Sequence, residues 1–600
     1  MGVDTAPLSW FPKQFDAGAI NGEGAKKLLG TPAVSPADVL VREMAQNSWD
    51  ARGDAAEIAF TMNLRKLSPA VVSVLRDQVF TGAATGTGLR ELLDRPEVWA
   101  LEISDRGTVG LGGPIRNDLA VAPGVSTNFI DLVFNVGSTK SDPHAGGNYG
   151  FGKTISYSVS EVGAVLIWSR YRDGPETQDR LIGSAIGEAF DRGGKRYTGR
   201  HWWGRAIDGD RIEPIIGQEA FTVGSHVFSH GFNDGVAGTS QLILSPVLGG
   251  ADREEDVDKL VRATLYNLWP KLLRDQRDRP RMDIRIQIDG AEVPVPAVET
   301  HPVLSGYADC LQAVRAAQAG APTPSAAWKV DVHEIRSQRP IKLLGHLALT
   351  RYPLDQRAAD SAGVDPGRGV TMMRHEAELV VTTSLQQALT TAGFQWAGVF
   401  KPVNEVDASF AKAEPPAHDD WLTQHIKDPR MKRDVNISFT RMKEAVDQFL
   451  APPSAASPDA ATSAAAVGDM LAGMLAGIDG PGPSTRTPEA KSGAGKRAAR
   501  PRAVVESVQR EHASPGWSRT TLTLTADDLP AAGATVRVTL RVGIDGGSEE
   551  GDDVIRVVGW SDSTAGSDRT FLPGAKSRFV YESREDLAID VDASVVNEPV

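Results

Sequence analysis

The sequence predicts an α+β protein of several domains. The chain has 600 residues, more than one hydrophobic core can organise, and about two to four domains are expected at that length. Up to about residue 450, helical periodicities and short apolar strands are interleaved. After residue 503 only short runs of alternating apolar and polar residues remain, the pattern of an all-β module. Between these parts, 451–503 is rich in Ala, Pro, Ser and Gly and reads as a linker.

Composition narrows the function classes. Apolar content of 41% and charged content of 24% are ordinary for a globular chain. A formal net charge of -13 argues against the whole chain binding polyanions, and leaves room for a local basic patch. Cys310 is the single cysteine, which excludes an intramolecular disulfide and a cysteine-rich zinc site and fits a reducing cytoplasm. Met1-Gly2-Val3-Asp4 is not a basic region followed by an apolar core, so no signal peptide is expected. No apolar run reaches about 18 residues, so no membrane span is expected. No internal repeat is evident.

Taken in order, residues 1–30 carry Trp10, Phe11 and Phe15 and read as an arm with some packing of its own. A helix follows over 35–51. Ser35 can cap it, Pro36 suits its first position, and Asp38 stands three residues after the cap. Glu43, Asn47 and Asp50 then fall at i, i+4 and i+7 and share a face, while Val39, Leu40 and Met44 supply much of the buried side. An amide oxygen suits a hard cation such as Mg2+, and a carboxylate one turn away can orient and deprotonate a water. A solvated helix face explains the same spacing equally well until other motifs are added.

A strand at 56–64 and a helix at 68–79 lead to a strand at 98–104 that ends in Asp105-Arg106-Gly107-Thr108-Val109-Gly110. An aspartate at a strand end can accept a hydrogen bond from an exocyclic amine such as that of adenine, and glycines let backbone approach a ring closely. A plain D-x-G turn is the other reading. The apolar segment 129–136 opens into a glycine-rich stretch with Lys140, Gly147, Gly150, Phe151, Gly152, Lys153 and Thr154. It suggests a mobile lid ending at the N-terminus of a helix over 155–162, where free N–H groups can meet phosphate. Residues 147–154 also match the P-loop pattern G-x-x-x-x-G-K-[ST] letter for letter. That motif needs an apolar strand leading into it, and Lys140-Ser141-Asp142-Pro143-His144 is a loop. Strands are expected at 164–169 and 181–190. The aromatic cluster His201-Trp202-Trp203 reads as packing, and Gly238-Thr239 opens a further strand.

Four elements now stand in order: E-x-x-x-N-x-x-D-A at 43–51, D-x-G-x-x-G at 105–110, G-x-x-G-x-G at 147–152 and G-T at 238–239. The set resembles the Bergerat-fold ATPases of the GHKL group, which includes gyrase, the ninety-kilodalton heat-shock chaperones, sensor histidine kinases, MutL and MORC. It covers about residues 30–250. The resemblance implies a Bergerat α/β sandwich that binds ATP and Mg2+. Glu43 looks like the general base, Asn47 like the Mg2+ ligand with Asp50 in support, Asp105 like the adenine anchor and Thr239 like its water-bridging partner. Gly107 and Gly110 would shape the adenine loop. Gly147, Gly150 and Gly152 would bring lid backbone to the phosphates, with Lys140, Phe151, Lys153 and Thr154 beside them. The extra residue between Gly107 and Gly110, where many members have D-x-G-x-G, departs from the pattern.

The expected domains are 1–250, the ATPase domain with its arm; 251–450, a transducer-like α+β domain; the linker 451–503; and 504–600, a β-sandwich-like module. The second domain combines a helix at 256–277, a hairpin at 282–293 and strands at 328–332, 341–350, 377–382 and 393–400. A helix is expected at 383–391 and an amphipathic one at 430–450. By resemblance to MORC and MutL, a cation from this domain would meet the γ-phosphate. His418 stands at the matching place, with Lys401, Lys412 or Arg374 as alternatives. Lys491, Lys496, Arg497, Arg500 and Arg502 form a basic cluster that can touch nucleic acid or stay solvated.

The resulting expectation is a Mg2+-dependent ATPase working as a nucleotide-gated switch or clamp, with an ATP-dependent homodimer implied by the resemblance. The ATPase domain comes first, unlike in sensor kinases, and no gyrase-type cleavage module follows. Bacterial MORC-like ATPases are the closest arrangement, which suggests DNA processing or phage defence, with DNA or a protein held by the C-terminal module. A chaperone-like remodeller and an ATP-sensing scaffold with little turnover are the alternatives.

Overall fold

The computed structural model describes residues 5–15, 35–53, 57–134, 154–173, 176–207, 211–232, 235–274, 280–355, 367–387, 389, 393–415, 420–451, 502–514, 516–527, 533–544, 547–549, 554–561, 566–584 and 589–596. It is a mixed α+β protein with several sheets. The chain divides into two compact units, Met1–Val332 with Ala348–Ile426, and His333–Leu347 with Lys427–Val600.

The first unit is built on one large sheet in the order β1-β7-β5-β4-β10-β3-β2-β11-β12, with β6 and β8 paired to β7 and β9 to β5. Its strands are β1 (Ser9–Gln14), β2 (Ala59–Lys66), β3 (Trp99–Arg106), β4 (Ala164–Asp173), β5 (Glu176–Ile186), β6 (Phe190–Arg192), β7 (Lys195–Ile207), β8 (Arg211–Glu213), β9 (Ile215–Ile216), β10 (Gly238–Leu244), β11 (Asp283–Ile288) and β12 (Ala291–Val293). Helices cover both faces, because the central strands are apolar on both. Leu101, Ile103, Val165, Ile167 and Ile243 face one core with α1 (Pro36–Asp50), α4 (Asn128–Val133), α5 (Ile155–Ser158) and α7 (Arg253–Leu272). Ala100, Leu166, Trp168, Leu242 and Leu244 face the other, under α2 (Pro69–Val74) with its π-helical continuation to Val79, α3 (Leu89–Leu93) and α6 (Gly217–Val227).

A five-stranded sheet follows in the order β13 (Val330–Gln338), β14 (Ile341–Pro353), β17 (Phe394–Pro402), β15 (Arg368–Met373), β16 (Val380–Ser384). The helix α8 (Leu304–Gln318) packs on β17, and α9 (Asn404–Ala413) follows that strand. In the second unit α10 (Pro429–Leu450) precedes two sheets that share one core. One holds β18 (Arg502–Ser514), β19 (Trp517–Asp527), β24 (Lys576–Arg584) and β22 (Ile555–Trp560). The other holds β21 (Gly547–Glu549), β20 (Ala534–Ile544), β23 (Asp568–Phe571) and β25 (Ile589–Val596). Leu522, Leu524 and Phe579 from the first meet Val536, Val538 and Phe571 from the second, as in a sandwich.

Several elements differ from the sequence reading. The helix expected at 383–391 does not form at its start: β16 runs on to Ser384, and Leu385 has φ +54°, a left-handed conformation that stops both strand and helix. The helix expected at 155–162 ends at Ser158. There Ser160 bonds the Leu244 carbonyl at 2.6 Å and accepts from Ala164 N, drawing the chain into β4. The expected helix at 256–277 starts at Arg253, capped by Asp252, and ends at Leu272. Of the expected cation sources, His418 lies outside the described residues. Among the described residues no helix is long and apolar enough to cross a membrane.

The arm is β1, paired antiparallel with β7. Trp10 fills the space left by Gly82, whose missing Cβ would stand 2.8 Å from the indole. Trp10 Nε1 donates to His201 Nδ1 at 3.1 Å, and His201 stacks with Trp10, Phe190 and Trp203. His201 Nε2 is buried without a partner among the described residues, and burial pushes the imidazole down to about 4. An unfolded histidine titrates near 6.5. The fold therefore holds the neutral ring, its stability is complete above pH 6.5, and it is lost as pH falls from 6.5 through 4. Denaturant titrations of the wild type should lose about 3 kcal/mol to this group across that window. His201→Phe, which keeps a stacked ring, should flatten that part of the profile; an unchanged acid slope would refute the assignment.

Candidate functional site

Helix α1 starts where its sequence says. Ser35 Oγ accepts from Asp38 N at 3.2 Å and donates to the Asp38 carboxylate, with Pro36 in the first turn. Ala37, Leu40, Val41, Met44, Ala45, Ser48 and Trp49 are buried, so the helix lies flat on the sheet. The stripe of Glu43, Asn47 and Asp50 runs along the border of that buried side. Glu43 is 9% exposed, while Asn47 and Asp50 are exposed to solvent.

The face under α1 carries Asp105, Thr239 and Ser169 abreast on the neighbouring strands β3, β10 and β4. Residues directly opposite in an antiparallel pair point to the same side, so register alone brings these three together. Asp105 Oδ1 accepts from Thr239 N at 3.0 Å and from the Thr108 hydroxyl. Its Oδ2 accepts from Ser48 Oγ at 3.1 Å, a hydroxyl shared with Met44 O at 3.1 Å, which ties the strand end to α1 one residue after Asn47. Thr239 Oγ1 lies 3.1 Å from Ser169 Oγ, and Ser169 Oγ donates to the Gly238 carbonyl at 2.8 Å. Burial pushes the Asp105 carboxyl up, against the hydrogen bonds from Thr108, Thr239 N and Ser48 and the charge of Arg106. A carboxylate offers about four lone-pair sites, and three are used. Among the described residues, one acceptor position on Oδ2 is left in a partly buried, rigid surround, suited to one N–H donor of a ligand.

The adjoining turn is fixed by glycines. Gly107 (φ +84°) and Gly110 (φ +69°) are left-handed, and a Cβ would stand 2.5 Å from Glu57 O at the first and 2.1 Å from Arg170 O at the second. Gly238 has no such room either, 2.2 Å from Asp105 O. Val109 N donates to Ala51 O at 2.8 Å, pinning the turn to the end of α1. The extra residue in D-x-G-x-x-G is absorbed here, with Thr108 turned in onto Asp105 and Val109 turned out.

The structure thus brings together Glu43, Asn47, Asp50, Asp105, Gly107, Gly110 and Thr239 on one helix and the strand ends beneath it. Thr154 is buried at the start of α5. Lys140, Gly147, Gly150, Phe151, Gly152 and Lys153 lie outside the described residues. Lys401 is buried and paired with Glu378, and Arg374 is paired with Asp407. Sequence reasoning missed Ser48, Thr108 and Ser169. Each neighbours a motif residue or ends a recognised strand, but only register shows that they converge. Among the described residues no three His, Cys, Asp or Glu side chains gather as a metal cluster. A cavity of about 410 Å3 is lined by other residues, including Asp38, Arg262, Trp269, Tyr307 and Arg368, and the chemistry described above does not face it. Compared with protein-family models, curated proteins and solved structures, the chain matches none.

Gly110→Ala should cost about 2 kcal/mol or more, from the left-handed backbone and the Arg170 carbonyl together. Gly124 has a similar φ of +83° with nothing within 4 Å, so Gly124→Ala should cost only about 1 kcal/mol. Equal losses in denaturant melts would show that the close approach at Gly110 is not real.

Proposed function

We propose that this chain binds ATP beside α1 at the Asp105 strand end and hydrolyses it with Mg2+, in the manner of a Bergerat-fold ATPase. The observation that carries this reading is the Asp105 carboxylate, held by Ser48, Thr108 and Thr239 with one acceptor position left, directly beside the helix of Glu43 and Asn47. An adenine exocyclic amine supplies the missing donor, and the left-handed glycines let the turn lie flat against a base.

The residues fit the metal that this reading needs. Asn47 is an exposed neutral oxygen donor one turn from Glu43, and a Mg2+ ion takes such a ligand together with phosphate oxygens and water. The ion would neutralise charge on the phosphates. Glu43, nearly buried, is sheltered enough to take a proton from water attacking the γ-phosphate. Asp50 would support the metal-bound water. Thr239 and Ser169 supply a hydroxyl pair at the rear of the base pocket. A nucleotide-gated switch, an ATP-dependent homodimer and a DNA or protein partner for the C-terminal β module extend the reading by resemblance alone.

With Mg-ATP, Glu43→Gln should bind nucleotide within about threefold of wild type and lose about 100-fold or more in turnover. Asn47→Ala should lose the Mg2+ dependence of binding, and Asp105→Asn should weaken ATP far more than it weakens inorganic triphosphate. Turnover that survives Glu43→Gln while Lys153→Ala abolishes binding would overturn the assignment in favour of a P-loop.

A further inference from the structure

Beneath the end of α1 lies an ion cluster from which the nucleotide reading names Lys401 alone, as one alternative cation for the γ-phosphate. Glu378 is fully buried and meets three cations: Lys401, Arg315 at 2.6 Å and Arg281 at 3.0 Å. A fourth, Lys271 on α7, is also fully buried, and its side-chain nitrogen has no hydrogen-bond partner among the described residues. That nitrogen stands 3.1 Å from the centre of the Trp49 ring. The Arg52 guanidinium lies 4.5 Å from the same ring and also reaches Glu376 at 3.4 Å, two residues before Glu378. Arg315 closes the circuit by donating to Pro270 O, the residue before Lys271, at 2.8 Å.

Four cations around one carboxylate cannot all stay charged in a dry site. Burial pushes the Lys271 amine well down; Glu378 opposes that, and Arg281, Arg315 and Arg52 add to it. The unfolded amine is protonated at neutral pH, so burying Lys271 costs stability there. Packing alone would be served better by an apolar side chain of that length. Trp49 lies one residue from Ser48, which holds Asp105, and two from Asn47. Its indole is gripped between Arg52 and Lys271, so a change of charge in the cluster acts on α1 where the site residues are carried.

We propose that Lys271 is a positioning residue: through its contact on the Trp49 indole, the Glu378 cluster sets where α1 stands and so regulates turnover at the Glu43, Asn47 and Asp105 site. This rests on the nucleotide reading above for its consequence, and on the Trp49 contact for its mechanism. The lysine touches neither substrate nor metal.

The test uses the full chain and three variants, Lys271→Met, Lys271→Arg and Trp49→Leu. Lys271→Met should melt at or above the wild-type Tm. Without nucleotide, amide exchange should change at least threefold in α1 and stay unchanged in β10. With Mg-ATP, kcat should fall at least tenfold while nucleotide Kd moves less than threefold, and Lys271→Arg should restore part of kcat. A lysine that only packs would leave both α1 exchange and the ratio of kcat to binding untouched, at whatever Tm. Wild-type kcat and unchanged α1 exchange in Lys271→Met would overturn the proposal. If Lys271→Met failed to fold, Trp49→Leu removes the ring contact from the other side and is judged by the same measurements. If the wild type bound no ATP, the function proposed for the site would fall, and α1 exchange in Lys271→Met would still decide the positioning role.

Discussion

The candidate site depends on one carboxylate being held still. Asp105 has no freedom of its own: a backbone N–H from β10, a hydroxyl from its own turn and a hydroxyl from α1 fix both oxygens. Each of these contacts comes from a different element, so the carboxylate is also the joint between helix, turn and sheet. Burial makes the ionised form costly, and three donors offset part of that cost. A sheltered acceptor with one position left among the described residues is selective, since a ligand that fails to donate leaves it unsatisfied.

Glycine makes that joint possible. Residues 107, 110 and 238 each stand where a Cβ would strike backbone oxygen. The chain can therefore fold three segments into van der Waals contact around Asp105. Elsewhere in the same sheet, closely packed polar groups are used differently. Glu102, on the opposite face of β3, is held down at about 2: burial pushes it up, and His230, Arg65 and the N–H groups of Ser229 and His230 together outweigh that. It staples the 228–231 loop to the sheet and faces away from α1. Two acidic residues three apart on one strand thus take opposite roles, because strand alternation sends them to opposite faces.

The Glu378 cluster shows a third use of buried charge. A single carboxylate gathers Lys401, Arg315 and Arg281, and leaves Lys271 on an indole face instead of a partner oxygen. Such a group is a poor investment for stability and a sensitive one for position, since small shifts in a low-dielectric surround change its energy strongly.

Much of this was legible in the chain. Local chemistry determined the elements: Ser35, Pro36 and Asp38 set the start of α1, apolar runs set β3, β4 and β10, and alternation set the C-terminal sheets. Three of the four motifs carried Glu43, Asn47, Asp105, Gly107, Gly110 and Thr239, which were singled out because the set, in order, resembles one family, each pattern alone being weak. The sequence could not show that helices cover both faces of the first sheet, that 383–391 would begin with a left-handed Leu385, or that Ser48, Thr108 and Ser169 converge on the Asp105 and Thr239 rung. Nor could it show that Lys401 is spent on Glu378, or that Lys271 sits on Trp49 from 222 positions away in the chain. Those facts are matters of register and burial. They depend on which strands pair and which side chains are shut away from water, and only the folded chain decides either.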